Sequence, residues 1–239
     1  MHFEYRGVKI YYDVVGKGSP ILLVHGWGGS RQSLQPLAQL LCKKHKTIIV
    51  DLPGFGQSDT PPPTWGTPEY ADVLVALLDE LKISKINYFG HSFGGSLGIY
   101  LAVTTNKINK LVLCNSSYKR RQHRSPLVRF AHHILPSYRS PLKRVLYRMF
   151  FRGSDLARYP HLEQNFRNIM KYDLSPMVDK VGAPTLIIWG AEDTVTPVAL
   201  AHNLHQGIKN SKLIVIPNTR HALPISEPQL LVDPIEQFL

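Results

Sequence analysis

Gly90-His91-Ser92-Phe93-Gly94 decides the reading of this chain. Ile86-Asn87-Tyr88-Phe89 ahead of it reads as a short buried strand, and Leu97-Gly98-Ile99-Tyr100-Leu101-Ala102-Val103 behind it as a helix packed on that strand. A serine flanked by glycines two residues away on each side, between strand and helix, is the signature of an elbow that presents a nucleophile. The turn is so tight that larger side chains at Gly90 and Gly94 would clash, and the serine is held in a strained conformation. That strain aims Oγ out of the sheet, towards a histidine arriving from elsewhere. Glycine and serine are common in loops, so the same letters also fit an ordinary turn before a helix. The flanking sequence has to separate the two.

Upstream, Pro20-Ile21-Leu22-Leu23-Val24-His25-Gly26-Trp27-Gly28-Gly29 is an apolar strand running into a glycine-rich loop, where an oxyanion hole needs a free backbone N–H. Downstream, Thr185-Leu186-Ile187-Ile188-Trp189-Gly190 is a second buried strand, followed by Ala191-Glu192-Asp193-Thr194-Val195-Thr196-Pro197. Asp193 thus falls just past a strand end. Leu213-Ile214-Val215-Ile216-Pro217 leads in the same way to His221. Each of the three polar residues follows a strand's carboxyl end, where open α/β sheets place their sites.

These segments resemble the α/β-hydrolase superfamily, serine esterase type, over essentially the whole chain. Val8-Lys9-Ile10-Tyr11-Tyr12-Asp13-Val14-Val15-Gly16 is similar to its second strand, Asp51-Leu52-Pro53-Gly54-Phe55-Gly56-Gln57-Ser58-Asp59 to the loop after its fourth, and His221 through Pro228 to its closing histidine segment. The order serine, acid, histidine is the one this fold uses. The resemblance implies a mostly parallel eight-stranded sheet flanked by helices, with a helical cap inserted after the sixth strand.

The chain has 239 residues, 44% of them hydrophobic, enough for one sizeable core. Met1-His2-Phe3-Glu4-Tyr5-Arg6 opens without an apolar stretch, so no signal peptide is visible. No run approaches the roughly 18 apolar residues of a spanning helix. The expectation is a soluble, cytoplasmic protein. Cys42 and Cys114 read as buried thiols, not as a disulfide or a metal site. No histidine stands at metal-ligand spacing, so neither metal nor cofactor is expected.

Strands are expected near 2–6, 8–15, 20–24, 46–51, 86–90, 108–114, 183–189 and 212–216, the first two an antiparallel pair about Arg6-Gly7. Helices are expected near 33–43, 67–82, 93–105, 198–205 and at the C-terminus. Pro234 lacks a backbone donor, so the last helix is expected to restart there with Asp233 as its cap. Pro61-Pro62-Pro63 reads as a stiff loop, not a linker.

The division is 1–116 and 177–239 for the core and 117–176 for the cap. The charge belongs to the cap. Residues 117–176 hold thirteen Lys and Arg against three acids, whereas the whole chain carries +11. Leu142, Val145, Leu146 and Met149 would line one side of a helix, with Arg144, Arg148 and Arg152 on another. Such a stripe is either a solvated outer face or a surface for an acidic partner or anionic substrate. No nucleic-acid motif accompanies it, so no nucleic-acid partner is expected.

In this reading Ser92 attacks a carbonyl carbon, His221 takes and returns its proton, and Asp193 orients the imidazole. The backbone N–H groups of Phe93 and Trp27 would meet the oxyanion, while the Trp27 side chain shapes the pocket. His25 is read as a structural hydrogen-bonder under the oxyanion loop and His91 as a residue touching the pocket wall. His123, His132, His133 and His161 fall in the cap, and His2, His45, His202 and His205 look peripheral. Asp51 and Asp59 precede the nucleophile and are assigned loop hydrogen bonds. After the sixth strand, where some superfamily members carry the acid, this chain has Asn115-Ser116.

Serine in place of aspartate at the elbow implies an acyl-enzyme. The first functional expectation is a carboxylic-ester hydrolase acting on a small or acyl-chain ester. Within it, the basic cap and His25-Gly26-Trp27-Gly28 are similar to the carrier-protein methyl esterases of biotin synthesis, whose caps meet an acidic carrier. The alternatives are a carbon–carbon bond hydrolase of the meta-cleavage type and a non-catalytic ligand-binding member of the fold.

Overall fold

The computed structural model describes residues 1–119 and 158–239. Its eight strands are β1 (His2–Tyr5), β2 (Val8–Val15), β3 (Ser19–Val24), β4 (His45–Val50), β5 (Ile86–His91), β6 (Ile108–Cys114), β7 (Thr185–Gly190) and β8 (Ser211–Ile216). They form one sheet in the order β1-β2-β4-β3-β5-β6-β7-β8. β1 and β2 make a hairpin with Tyr5 paired to Val8, closed by Arg6 and Gly7. Both turn residues have positive φ, 49° and 75°, which matches the right-handed twist of the strands they join. β2 is also antiparallel to β4, and the remaining pairs are parallel.

Alternation along the central strands splits the core in two. In β3, Leu22 and Val24 face one cluster with α2 (Thr67–Glu80) and α3 (Phe93–Thr104), while Ile21 and Leu23 face the other. That second cluster holds Leu34, Leu37, Ala38 and Leu41 of α1 (Arg31–Leu41) with Leu231 and Ile235 near the C-terminus. Such two-sided burial is why these strands read as continuous apolar runs. α3 is buried on nearly every side, as a helix apolar all round must be.

The sheet's order reverses beside β3, whose neighbours are β4 on one side and β5 on the other. The loops leaving β3 and β5 therefore open a crevice at the strands' carboxyl ends. Between β6 and β7 the described chain resumes in a short 3₁₀ turn (Pro160–Leu162), then α4 (Glu163–Lys171) and a second 3₁₀ segment (Ser175–Lys180). α4 is tied to the proline loop: Asn165 Nδ2 donates to the carbonyls of Pro62 and Trp65, and Asn168 Nδ2 to those of Pro63 and Thr64. α5 (Ala199–Gly207) follows β7, a single turn (Leu223–Ser226) follows β8, and α6 (Gln229–Phe238) closes the chain.

Two expectations are corrected. α6 does not restart at Pro234 but runs through it. Proline there removes only the hydrogen bond to the carbonyl of Leu230, in the exposed first turn, while Leu231 and Ile235 anchor the helix on both sides. Cys42 is half-buried at the end of α1, its thiol directed at the Gln39 carbonyl, and only Cys114 is fully buried. The stripe Arg144, Arg148, Arg152 and its apolar companions lie outside the described residues, as do His123, His132 and His133.

Candidate active site

Ser92 links β5 to α3 with φ 51° and ψ −113°, outside the ordinary regions for a residue with a Cβ. The strain is held by surrounding bonds. Its N–H donates to the Cys114 carbonyl, and its own carbonyl accepts from the N–H groups of Gly95 and Ser117. A Cβ at Gly94 would lie 2.9 Å from the His25 carbonyl oxygen and closer still to that of Val24, so α3 can start here only with glycine. Phe93 is the first residue of α3, and its N–H has no acceptor within the helix.

The loop after β3 presents another unpaired backbone N–H among the described residues. Gly29 N–H bonds to the Gly26 carbonyl, and Gly28 has φ 77° while Trp27 does not have a positive φ. This is a type II turn with glycine where the left-handed residue is required. Trp27 N–H makes no hydrogen bond among the described residues. The loop is braced from below by His25. Its Nδ1–H donates to the Gly26 carbonyl at 2.7 Å, and its Nε2 accepts from Leu52 N–H at 3.0 Å. Burial pushes His25 down to about 4, so it stays neutral. The Trp27 ring packs edge-on against Phe55 and Phe166, with centroids 4.9 and 5.1 Å away, and Tyr159 Oη donates to the Gly28 carbonyl at 3.0 Å.

Asp193 lies just beyond β7 and is buried. Its Oδ1 accepts from the N–H groups of Val195 and Thr196 at 2.7 and 2.8 Å. Oδ2 accepts from His221 Nδ1 at 2.8 Å, Thr196 Oγ1 at 2.7 Å and Asn115 Nδ2 at 2.5 Å. Burial raises the pKa of this carboxyl, but the bonds from His221, Thr196 and Asn115 outweigh it and hold the group at about 2. The geometry places the Nδ1 proton of His221 on the carboxylate side, and Nε2 makes no hydrogen bond among the described residues.

Ser92, Phe93, Trp27 and Thr196 line one cavity of about 220 Å³ among the described residues. Its remaining wall is mostly apolar, with Phe166, Ile169 and Met170 from α4, Leu174 and Leu200. Ser96, Ser117 and Lys119 add polar points. Ser92 and Thr196 share this cavity's wall, and Thr196 Oγ1 donates to Asp193 Oδ2 and lies 3.2 Å from His221 Nδ1.

Three residues in this arrangement were given no such place by the sequence. Asn115 and Thr196 hold Asp193, and nothing local announces a partner 78 or 3 residues away. His91 does not line the cavity; it is buried behind it, with its ring 5.0 Å from that of His221. His45 is also buried, not peripheral, at the start of β4. Asp51 takes Arg31 N–H, Arg31 Nε and Gln57 N–H, and Asp59 takes Lys9 N–H; neither is bonded to His221. Among the described residues no group of three or more His, Cys, Asp or Glu side chains gathers to hold a metal, and no helix is long and apolar enough to cross a membrane.

Comparison with known proteins bears on the same segments. The family model of the alpha/beta hydrolase family matches residues 21–233. The chain is 29% identical over 266 aligned positions to the uncharacterized hydrolase YugF of Bacillus subtilis (strain 168), covering 99% of this chain and 96% of that protein. It is 27% identical over 248 positions to 2-hydroxy-6-oxononadienedioate/2-hydroxy-6-oxononatrienedioate hydrolase 1 of Pseudomonas putida, covering 90% and 86%. Among solved structures, Est816, an N-acyl homoserine lactone degrading enzyme, superposes with a TM-score of 0.83 at 24% identity over 100% of both chains. The enol-lactonase from Burkholderia xenovorans LB400 gives 0.79 at 22%, over 100% of this chain and 99% of that one.

Proposed function

Because the chain belongs to the alpha/beta hydrolase family, we propose that it is a serine hydrolase that cleaves a carboxylic ester through an acyl-enzyme on Ser92. The observation that carries this reading is the 2.8 Å bond from His221 Nδ1 to a carboxylate held at about 2, in a site whose cavity wall includes a strained serine. Ser92 Oγ attacks the ester carbonyl as His221 Nε2 takes its proton. Asp193 stays ionised and stabilises the imidazolium. The oxyanion is met by Phe93 N–H, at the positive end of α3, and by Trp27 N–H; one such donor is worth about 3 kcal/mol in the transition state. His221 returns the proton to the leaving alcohol, and water, activated by the same imidazole, releases the acid.

In this reading residues 117–176 cap the site. Support comes from α4, which sends Phe166, Ile169 and Met170 to the cavity wall, and from Tyr159, which reaches the oxyanion loop. The apolar wall suits an acyl chain or other small apolar group. An acidic partner would meet the basic residues of the same segment, most of which lie outside the described residues. Arg167 does not contribute freely, since Glu163 Oε1 accepts from its Nη2 at 2.6 Å.

The second reading is carbon–carbon cleavage beside a carbonyl. It is favoured by the likeness to hydrolases named for 2-hydroxy-6-oxo dienedioates and by the one cation on the described cavity wall, Lys119. The deciding experiment assays p-nitrophenyl esters from C2 to C12 against a 2-hydroxy-6-oxo dienoate, with wild type and Ser92→Ala. Ester turnover that vanishes in the variant, with fluorophosphonate labelling at Ser92 only, is the expected result. Turnover of the dienoate alone would favour the second reading.

A further inference from the structure

We propose that His91 is a positioning residue: it ties the backbone of His221 to the residue beside the nucleophile and so sets the distance between base and serine. This rests on the reading of Ser92 and His221 as nucleophile and base.

His91 ends β5 and is directly bonded to Ser92 along the chain. Its Nε2–H donates to the main-chain carbonyl of His221 at 2.8 Å, a contact spanning 130 residues. The two rings lie 5.0 Å apart at 46°. On its other side, a Cβ built on Gly26 would approach His91 Nδ1 to 3.2 Å and Ser92 Cβ to 3.0 Å, so the oxyanion loop packs on this same pair. One imidazole thus touches the elbow, the oxyanion loop and the loop that carries the base. The other hydrogen bonds of His221 among the described residues go to Asp193 and Thr196, which orient the ring but not its backbone relative to Ser92.

A space-filling role would ask only for a ring of this size. Two facts argue for the donor. A backbone carbonyl accepts and never donates, so the contact requires a proton on Nε2, and a neutral imidazole carries only one. The groups facing His91 are His221, Asp193 and His25; burial, with the nearby His221 adding to it, pushes His91 down to about 3. His91 therefore stays neutral, as a fixed donor, when His221 gains a proton during turnover.

The test compares His91→Gln, whose amide nitrogen can occupy the Nε2 position, with His91→Phe, which keeps the ring and loses the donor. With p-nitrophenyl acetate, the Phe variant should lose at least tenfold in kcat with KM within twofold, and its fluorophosphonate labelling should slow in parallel. The Gln variant should keep kcat within about threefold of wild type. Packing alone predicts the opposite order, and that order, or equal activity in both variants, overturns the proposal. A measurement on the wild-type chain decides even where a variant fails to fold: ¹⁵N NMR of the imidazoles should show His91 as the neutral Nε2–H tautomer, slow to exchange. An Nδ1–H tautomer overturns it. If the wild type neither labels nor hydrolyses any ester, the proposed function fails, while the tautomer still reports on the bond itself.

Discussion

Asn115 Nδ2 and His221 Nδ1 donate to the same oxygen of Asp193, at 2.5 and 2.8 Å. The position after β6, where some members of the superfamily carry the acid, is thus not idle. It supplies a donor to the acid that stands after β7. Removing a hydrogen bond to a charged group costs about 1.5–3 kcal/mol. Asn115→Ala should lower kcat roughly tenfold or more and raise the pKa of Asp193 above about 2, because a carboxylate with fewer donors binds its proton more tightly. Asn115→Asp should do worse, since two carboxylates would then crowd one imidazole. Unchanged kcat and Asp193 pKa in both variants would remove Asn115 from the site.

Asp193→Asn should lower turnover by about four orders of magnitude, as the imidazole loses both its tautomer control and its charge partner. Asp51 and Asp59 serve loop N–H groups and Arg31, so Asn at either position should cost stability and leave turnover per folded molecule far higher. Kinetics on the three purified variants, corrected for folded fraction, separate these outcomes.

The pH dependence of kcat/KM for a neutral ester should show one rising limb between pH 5 and 9. Asp193 at about 2, His91 at about 3 and His25 at about 4 have completed their titration below that window. None of these three groups can then supply the limb, which is left to the general base of the proposed mechanism. A flat profile, or a second inflection in this range, would count against that assignment.

His25 and His91 should also make the fold acid-labile. In the unfolded chain both bind a proton near pH 6.5, whereas folded they resist until about 4 and 3. The unfolded state then holds more protons, so stability is complete above about pH 7 and falls as pH falls, by up to ~1.4 kcal/mol per pH unit for each imidazole. Thermal melts should give a constant Tm from pH 8 to 7 and a steep decline from 6 to 4.5, shallower in His91→Gln. A Tm that holds to pH 4.5 would show that these rings are not buried neutral.

Tyr159→Phe deletes the hydroxyl that pins the Gly28 carbonyl and keeps the ring packed 5.1 Å from Phe55. About 1 kcal/mol of hydrogen bonding is lost. Since the turn it braces presents Trp27 N–H, kcat should fall severalfold with little change in KM. A change in KM alone would place Tyr159 on the substrate side instead.

The elbow, the glycine-rich loop and the two strand-end residues Asp193 and His221 were legible in the sequence because each is a local pattern: an apolar run, then residues that can only turn. The same holds for the strands, whose two-sided burial writes itself as unbroken Val, Ile and Leu, and for the hairpin at Arg6-Gly7. Pro234 misled because its cost depends on which carbonyl loses a partner, and that of Leu230 lies in the helix's exposed first turn. Only the tertiary structure decided what surrounds the site. Asn115 meets Asp193 across 78 residues and His91 meets the His221 backbone across 130, because parallel strands β5, β6, β7 and β8 bring their carboxyl ends side by side. A hydrogen bond needs about 3 Å and a direction, and neither is written in the order of residues along a chain.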